Sequence, residues 1–196
     1  MTNPVAATVA LGAGPLARTR IAEAAVRCLV RDGVTATSMA SIAIEGGVSK
    51  ALLHYHYASR AALLADVVTL LGGRIVARER AAMDPARGSG AVDALWDWLD
   101  GELLCGELHA LLELAMQHED EIHAAAAAVG AARLRAASQT VERLFAGLGL
   151  TPRMPAPLLG RASVAFMDGL AIAGSSAGEP RASFDLFWLA LLSIAE

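Results

Sequence analysis

Much of what would define an enzyme, a secreted protein or a membrane protein is missing from these 196 residues. Only two cysteines occur, Cys28 and Cys105, with no CxxC or CxxH spacing. That excludes a zinc ribbon or a dithiol redox motif, and the pair reads as small buried thiols of a reducing compartment. Aromatic residues make up 5% and β-branched residues are sparse. No segment alternates at period two for long enough to require a strand. Neither Gly-x-Ser-x-Gly nor a P-loop is found, and the GAG at residues 12–14 follows no strand, so it is not a dinucleotide fingerprint. The first fifteen residues lack the basic start of a signal peptide, and residues 1–15 read as a disordered arm. The longest apolar run near the C-terminus, APLLGRASVAFMDGLAIAGSSAG, is interrupted by Arg161 and Asp168, which argues against a membrane span. The expectation is a soluble, cytoplasmic chain with no membrane partner, no cofactor, no metal and no catalytic residue.

What is abundant is alanine and leucine, within an apolar content of 55%. These are the strongest helix formers, so an all-α chain of about nine helices is expected. Net charge is −4, unevenly distributed. Residues 1–60 carry six basic side chains (Arg18, Arg20, Arg27, Arg31, Lys50, Arg60) against three acidic ones, whereas residues 61–196 carry ten against seventeen. A basic start on an acidic remainder implies two tasks, one of them contact with an anion.

Helical periodicity places a first helix over residues 16–31, with Ala17, Ile21, Ala24 or Ala25 and Cys28 inward and Asp32-Gly33 as its stop. Thr37-Ser38 offers a cap for residues 39–45, Gly46-Gly47 forces a turn, and Ser49 caps residues 50–56. Ser59 caps a fourth helix over residues 60–83, in which Gly72-Gly73 predicts a bend. Further helices are expected over residues 91–104 (Val92, Trp96, Leu99 and Leu103 inward), 107–117, 120–148 (capped by Asp120), 158–173 and 184–195 (capped by Ser183). The organisation read from this is an arm (1–15), a small head (16–60) and a larger body (61–196).

The stretch His54-Tyr55-His56-Tyr57 raises the question of a metal site. Each helical step turns about 100°, so residues two apart point to opposite sides and the two imidazoles cannot chelate one ion from a regular helix. Leu53 and Tyr57 share the inward side, while Lys50, Ala51 and His54 share the outward side with Tyr55 flanking. A cation, an imidazole and a phenol on the outer face of a short helix, preceded by a second short helix and a glycine turn, is the layout of a helix-turn-helix. An ordinary helical hairpin with surface aromatics is the alternative.

Over residues 18–64, RIAEAAVRCLVRDGVTATSMASIAIEGGVSKALLHYHYASRAALL resembles the N-terminal domain of the TetR family of bacterial transcription regulators. No single piece is strong, but the ordered set (DG, TS, IA, GVSK, LL, HY, S-R-x-x-L) is. The resemblance implies a three-helix DNA-reading head, a fourth helix linking it to an all-α ligand-binding body, and a homodimer closed by the last two helices. By position, Ser38, Met39 and Ala40 start the helix that braces the DNA backbone. Ser49, Lys50, Ala51, Leu52 and His54 lie at or on the recognition helix, and Tyr55, His56 and Arg60 match phosphate-contact positions. There are departures: Ala40, Ala51 and Leu52 stand where polar or small residues are common, and His54 where tyrosine is usual. They remove potential hydrogen bonds and leave Lys50 as the best reader of a guanine edge.

The partners implied are a double-stranded DNA operator, a second copy of the chain and a small, mainly apolar effector. The interface would use Leu158, Leu159, Ala162, Phe166, Leu170, Phe184, Phe187, Trp188 and Leu191, and Gly160, Ala162 and Gly169 would permit close approach; filling a monomer core is the other use of these residues. The pocket would draw on Trp96, Leu99, Leu103, His109, Leu112, Met116, Leu134, Phe166 and Met167, with Trp96 preferred over Trp98 as the indole facing it. HEDEIH at residues 118–123 reads as a solvated, acidic helix start, its histidines lying about 140° apart on a helix. A di-metal bundle needs two Glu-x-x-His helices, and only Asp120-Glu121-Ile122-His123 approaches one. A helical ligand-binding scaffold without DNA binding remains as the alternative function.

Overall fold

The computed structural model describes residues 14–196, without the side chains of Pro15, Ser175 and Ala177. The expected arm therefore falls outside the described residues, apart from Gly14 and Pro15, which cap and open the first helix. Among the described residues there are nine α-helices: α1 (Pro15–Ala36), α2 (Met39–Glu45), α3 (Lys50–His56), α4 (Arg60–Met83), α5 (Gly90–Cys105), α6 (Glu107–Ala115), α7 (Asp120–Gly147), α8 (Ala156–Ala173) and α9 (Pro180–Ser193), with a 3₁₀ turn at Gly174–Ala177. The one β-type pairing among them is a bridge between Pro152 and Ala195, which ties the C-terminus to the α7–α8 loop.

Helices α1–α3 form a small head. α1 kinks at Gly33, where φ is +76°, and the Thr37 hydroxyl donates to the Gly33 carbonyl at 2.8 Å across the kink. The apolar stripe of α1 (Ala17, Ile21, Ala24, Ala25, Cys28) is buried as its spacing predicts. Ile42 and Ala43 of α2 and Leu53 of α3 meet it. Tyr57 closes the head against α4: its ring is buried and its hydroxyl donates to Asp66 at 2.9 Å. Burial first, and that hydrogen bond second, push the phenol up to about 12.

The body is α4–α9, with α7 packed along α4 on one side and α8 on the other. α4 runs unbroken, so the bend expected at Gly72-Gly73 is absent. Gly72 instead lets α7 approach: a β-carbon there would lie 2.3 Å from Val129 Cγ1. Gly160 does the same for α8, since its β-carbon would fall 2.7 Å from the Ser138 backbone nitrogen. The close approach expected of Gly160 between two chains is thus made within one. Helix starts also differ from expectation: Glu119 rather than Asp120 holds the cap position of α7, and α9 begins at Pro180, ahead of Ser183. α8 is long and apolar enough to cross a membrane by length and composition. Its Leu159, Ser163, Met167, Leu170 and Ala171 are buried in the body, and Asp168 is paired with Arg133 of α7 at 2.5 Å.

Candidate nucleic-acid interface

α2 and α3 are fixed by their caps. The Ser38 hydroxyl accepts from the Ser41 amide at 3.1 Å, and the Ser41 hydroxyl accepts from the Ser38 amide at 2.9 Å. The Ser49 hydroxyl accepts from the Leu52 amide at 3.1 Å and starts α3. Between them, Val48 donates to the Ala43 carbonyl, and Arg20 reaches from α1 to the Gly46 carbonyl at 2.9 Å, which fixes the turn. α3 then buries Leu53 and turns Lys50, Ala51, His54 and Tyr55 outward, Tyr55 being 72% exposed. Leu52 and His56 are half-buried, as are Met39 and Ala40, while Ser38 and Ser49 are exposed. His56 Nε2 is buried with no partner.

The basic residues divide sharply. Arg18 pairs with Asp66 at 2.8 Å and lies over the Tyr57 ring, and Arg27 and Arg31 both hold Glu45 of α2, at 2.7 and 2.9 Å. These two guanidiniums keep the Glu45 carboxyl below the usual carboxylate range. Arg60 departs from its expected part. Its Nε donates to the Thr37 carbonyl at 3.2 Å and its Nη2 to the Val34 carbonyl at 2.7 Å, so it braces the end of α1 against the start of α4. Lys50, the chain's one lysine, is the basic side chain of the head with no intramolecular partner among the described interactions.

Among the described cavities, none gathers all the side chains expected to line one pocket. Leu99 and Met167 are core, Leu112 is half-buried against it, and Met116 is 77% exposed because α6 ends at Ala115. Phe166 stacks on Phe187, with ring centroids 4.3 Å apart. Leu134 lies in an open groove with Ser138 and Arg161, and Leu103 and His109 line a cleft between α1, α6 and the end of α8. Trp96 packs on Phe184 of α9 under Arg181, and Trp98 is the buried indole, because α5 turns Ala91, Leu95, Trp98 and Leu99 inward. The residues expected at the interface also divide. Leu159, Leu170, Phe184, Trp188 and Leu191 are buried in their own chain, and Phe187 is half-buried. Leu158 and Ala162 of that set are exposed on α8, as are Ile172 on α8 and Leu186 and Leu189 on α9, the last two 69% and 67% exposed.

Sequence reasoning missed the charges inside the body: Arg78 on Glu102, Arg133 on Asp168, and Glu79 accepting from Thr140 at 2.7 Å. A signal existed, since Arg74 and Arg78 stand one turn apart after the apolar run of α4 and Glu102 interrupts the α5 stripe. His118 and His123 are exposed, and no group of three metal-capable side chains forms among the described residues.

A three-helix head whose second and third helices form a capped helix-turn-helix, joined by a long helix to an all-α body, defines a class of fold built to present one short helix outward. Solved structures share it. They include a TetR transcription regulator from Haloarcula marismortui (20% identity, TM-score 0.74, 91% of this chain and 98% of that one). A transcriptional regulator from Rhodococcus sp. Rha1 is also similar (16%, 0.73, 91% and 97%), as is the fatty acid degradation regulator FadR from Bacillus halodurans (16%, 0.71, 91% and 95%). At these identities the likeness establishes the fold. No curated protein matches the sequence. Residues 21–67 match the sequence model of the bacterial regulatory proteins of the tetR family. The head therefore carries the sequence of a tetR-family N-terminal domain, on a chain that shares the fold of these solved structures.

Proposed function

We propose that the protein is a homodimeric, DNA-binding transcription regulator of the cytoplasm. It acts as a repressor that leaves a pseudo-palindromic operator when a small effector binds the body. The observation that carries the reading is Lys50: exposed, without an internal counter-charge, and flanked by Ala51, His54 and Tyr55 on a helix anchored from behind by Leu53 and Tyr57. In a major groove Lys50 donates to guanine O6 or N7, and Ala51 and the half-buried Leu52 offer apolar contact to a thymine methyl. Tyr55, His56, Ser38 and Met39 lie where they would position the head on phosphates. Two heads held together multiply a weak single grip through effective concentration. The exposed Leu186 and Leu189 of α9, with Leu158, Ala162 and Ile172 of α8, supply an apolar face for that pairing.

Selection of bound sequences from random DNA by the purified protein tests this. The expected product is a pseudo-palindrome whose half-sites match the spacing of the heads. Lys50→Ala weakens binding by about 1–3 kcal/mol and relaxes preference at one base pair. Leu186→Glu with Leu189→Glu gives monomers on sedimentation and loses the operator. Absence of enriched DNA would instead favour a helical ligand-binding scaffold, a reading supported by the apolar Ala40, Ala51 and Leu52, which present no hydrogen-bonding side chains at these positions.

A further inference from the structure

Arg74 and Arg78 stand one turn apart on α4 and face the same side. Arg74 Nη2 is paired with Glu23 of α1, and its Nη1 lies 3.2 Å from Glu107 Oε1 of α6. Arg78 holds Glu102 of α5 with both prongs, at 2.6 and 2.7 Å, and reaches Glu107 Oε2 at 2.9 Å. The Glu102 side chain is 1% exposed, and Arg78 is the counter-charge that faces it. Glu107 is shared by two guanidiniums, and the string they form runs from α5 in the body to α1 in the head.

A cleft of about 320 Å³ opens over the body end of this string. Three carboxylates line it, Asp97, Glu102 and Glu107, against the single guanidinium of Arg78. Asp97 is exposed and has no partner among the described interactions. Trp98 also lines the cleft; it is 8% exposed, and its indole N–H finds no acceptor in the protein. The Cys105 thiol at the rim is pushed up chiefly by burial, with the Glu102 carboxylate adding to it. A surplus of carboxylates in a half-buried cleft attracts a cation more strongly than the same charges in open water. An indole wall adds cation–π attraction, and its free N–H calls for an acceptor atom on the ligand.

We propose that this cleft is the effector site and that it takes a small organic cation, an amine or amidine on a compact apolar body bearing a hydrogen-bond acceptor. This refines the mainly apolar effector expected from composition, and its regulatory consequence rests on the ligand-responsive reading above. A cation seated on Glu107 competes with Arg78 and Arg74, and so alters how firmly Arg74 holds Glu23 and with it α1. Gly101, on the cleft wall, leaves the space open: a β-carbon there meets nothing within 4 Å.

The test uses the full chain and three isosteric probes, 4-methoxybenzamidine, its neutral amide and its carboxylate. Calorimetry should show the amidine binding saturably with Kd at or below about 1 mM, and the amide and carboxylate about tenfold weaker or worse. The amidine should also shield Cys105 from maleimide. Asp97→Asn and Gly101→Leu should each weaken the amidine about tenfold while melting like the parent, since neither residue supports another. Glu23→Gln should bind the amidine as before but lose the shift in operator affinity that the amidine causes in the parent. Equal binding or shielding by the carboxylate, unchanged binding to Gly101→Leu, or no saturable binding of the amidine overturns the site. Amidine binding with the expected profile, but without any change in operator affinity, keeps the cation site and overturns its role as the effector site; a parent protein that binds no operator at all would instead sink the regulator reading.

Discussion

The head and the body are both helical, yet they are held by different kinds of contact. In the head the helix starts are set by contacts short in sequence. Ser38, Ser49 and Ser59 each accept a hydrogen bond from an amide three residues on, at 3.1, 3.1 and 3.0 Å. The body depends on partners far apart: Arg78 meets Glu102 across 24 residues, Arg133 meets Asp168 across 35 and Glu79 meets Thr140 across 61. Its long helices also close on glycines, Gly72 against Val129 and Gly160 against Ser138. Local capping sets where a short helix begins and which face it shows. Burial of charge and the removal of β-carbons set how long helices lie against each other.

The largest expected effect breaks the body and leaves the head's local contacts intact. Gly160→Ala puts a methyl within 2.7 Å of the Ser138 backbone, which cannot turn aside. The cost should be about 3 kcal/mol, a Tm lower by roughly 6–12 °C. Gly72→Ala should cost less, because the atoms it meets belong to the Val129 side chain. Next comes Arg60→Ala, which cuts the one guanidinium joining the end of α1 to the start of α4. Losing two charge-assisted bonds to carbonyls should cost about 2 kcal/mol in thermal melting. A Tm equal to that of the parent would return Arg60 to a role on DNA alone.

The same contrast explains what could be read beforehand. The head was legible nearly residue by residue: the three serine caps, and the division of α3 into a buried Leu53 side and an exposed Lys50, Ala51 and His54 side, follow from neighbours within four positions, whereas Gly33 kinks α1 rather than ending it, since the helix runs on to Ala36. The internal bonds of Arg60 could not be read because its partners, the carbonyls of Val34 and Thr37, are backbone atoms that no residue type advertises. In the body, helix positions could be read but the inward faces of α5, α8 and α9 could not. Apolar residues cover more than one side of each, so periodicity does not choose between own core and partner surface. That Trp98 is more buried than Trp96, and that Leu186 and Leu189 are exposed while Phe184 and Trp188 are buried, is decided by packing alone.

A smaller and more local effect sharpens the head. Ser49→Ala removes the acceptor for the Leu52 amide and should cost about 1 kcal/mol, felt mainly as fraying of α3. Hydrogen exchange should show faster loss of protection at the amides of residues 51–53 than at those of α4, together with weaker operator binding. Uniform change along the chain would mean that α3 is not separately capped.

The smallest effect runs the other way and depends on pH. Glu79 of α4 is 7% exposed, and the Thr140 hydroxyl donates a hydrogen bond to it. Burial raises its carboxyl above the usual carboxylate range, with the hydrogen bond from Thr140 opposing the shift. The folded chain therefore holds this proton to higher pH than the unfolded chain does. Stability falls as pH rises through the window between the ordinary carboxylate value and the raised one, and the deficit persists at neutral pH. Glu79→Gln keeps an acceptor for Thr140 and carries no charge, so it should be more stable than the parent at pH 7 by somewhat under about 1 kcal/mol. The advantage should shrink toward zero as pH falls below the ordinary carboxylate range. The other acids titrate in both proteins and cancel in the difference. A Tm difference independent of pH, or one that grows on acidification, would show that the buried Glu79 charge is compensated in the fold, with Arg133 and Arg143, the cations acting on it, as the compensating groups.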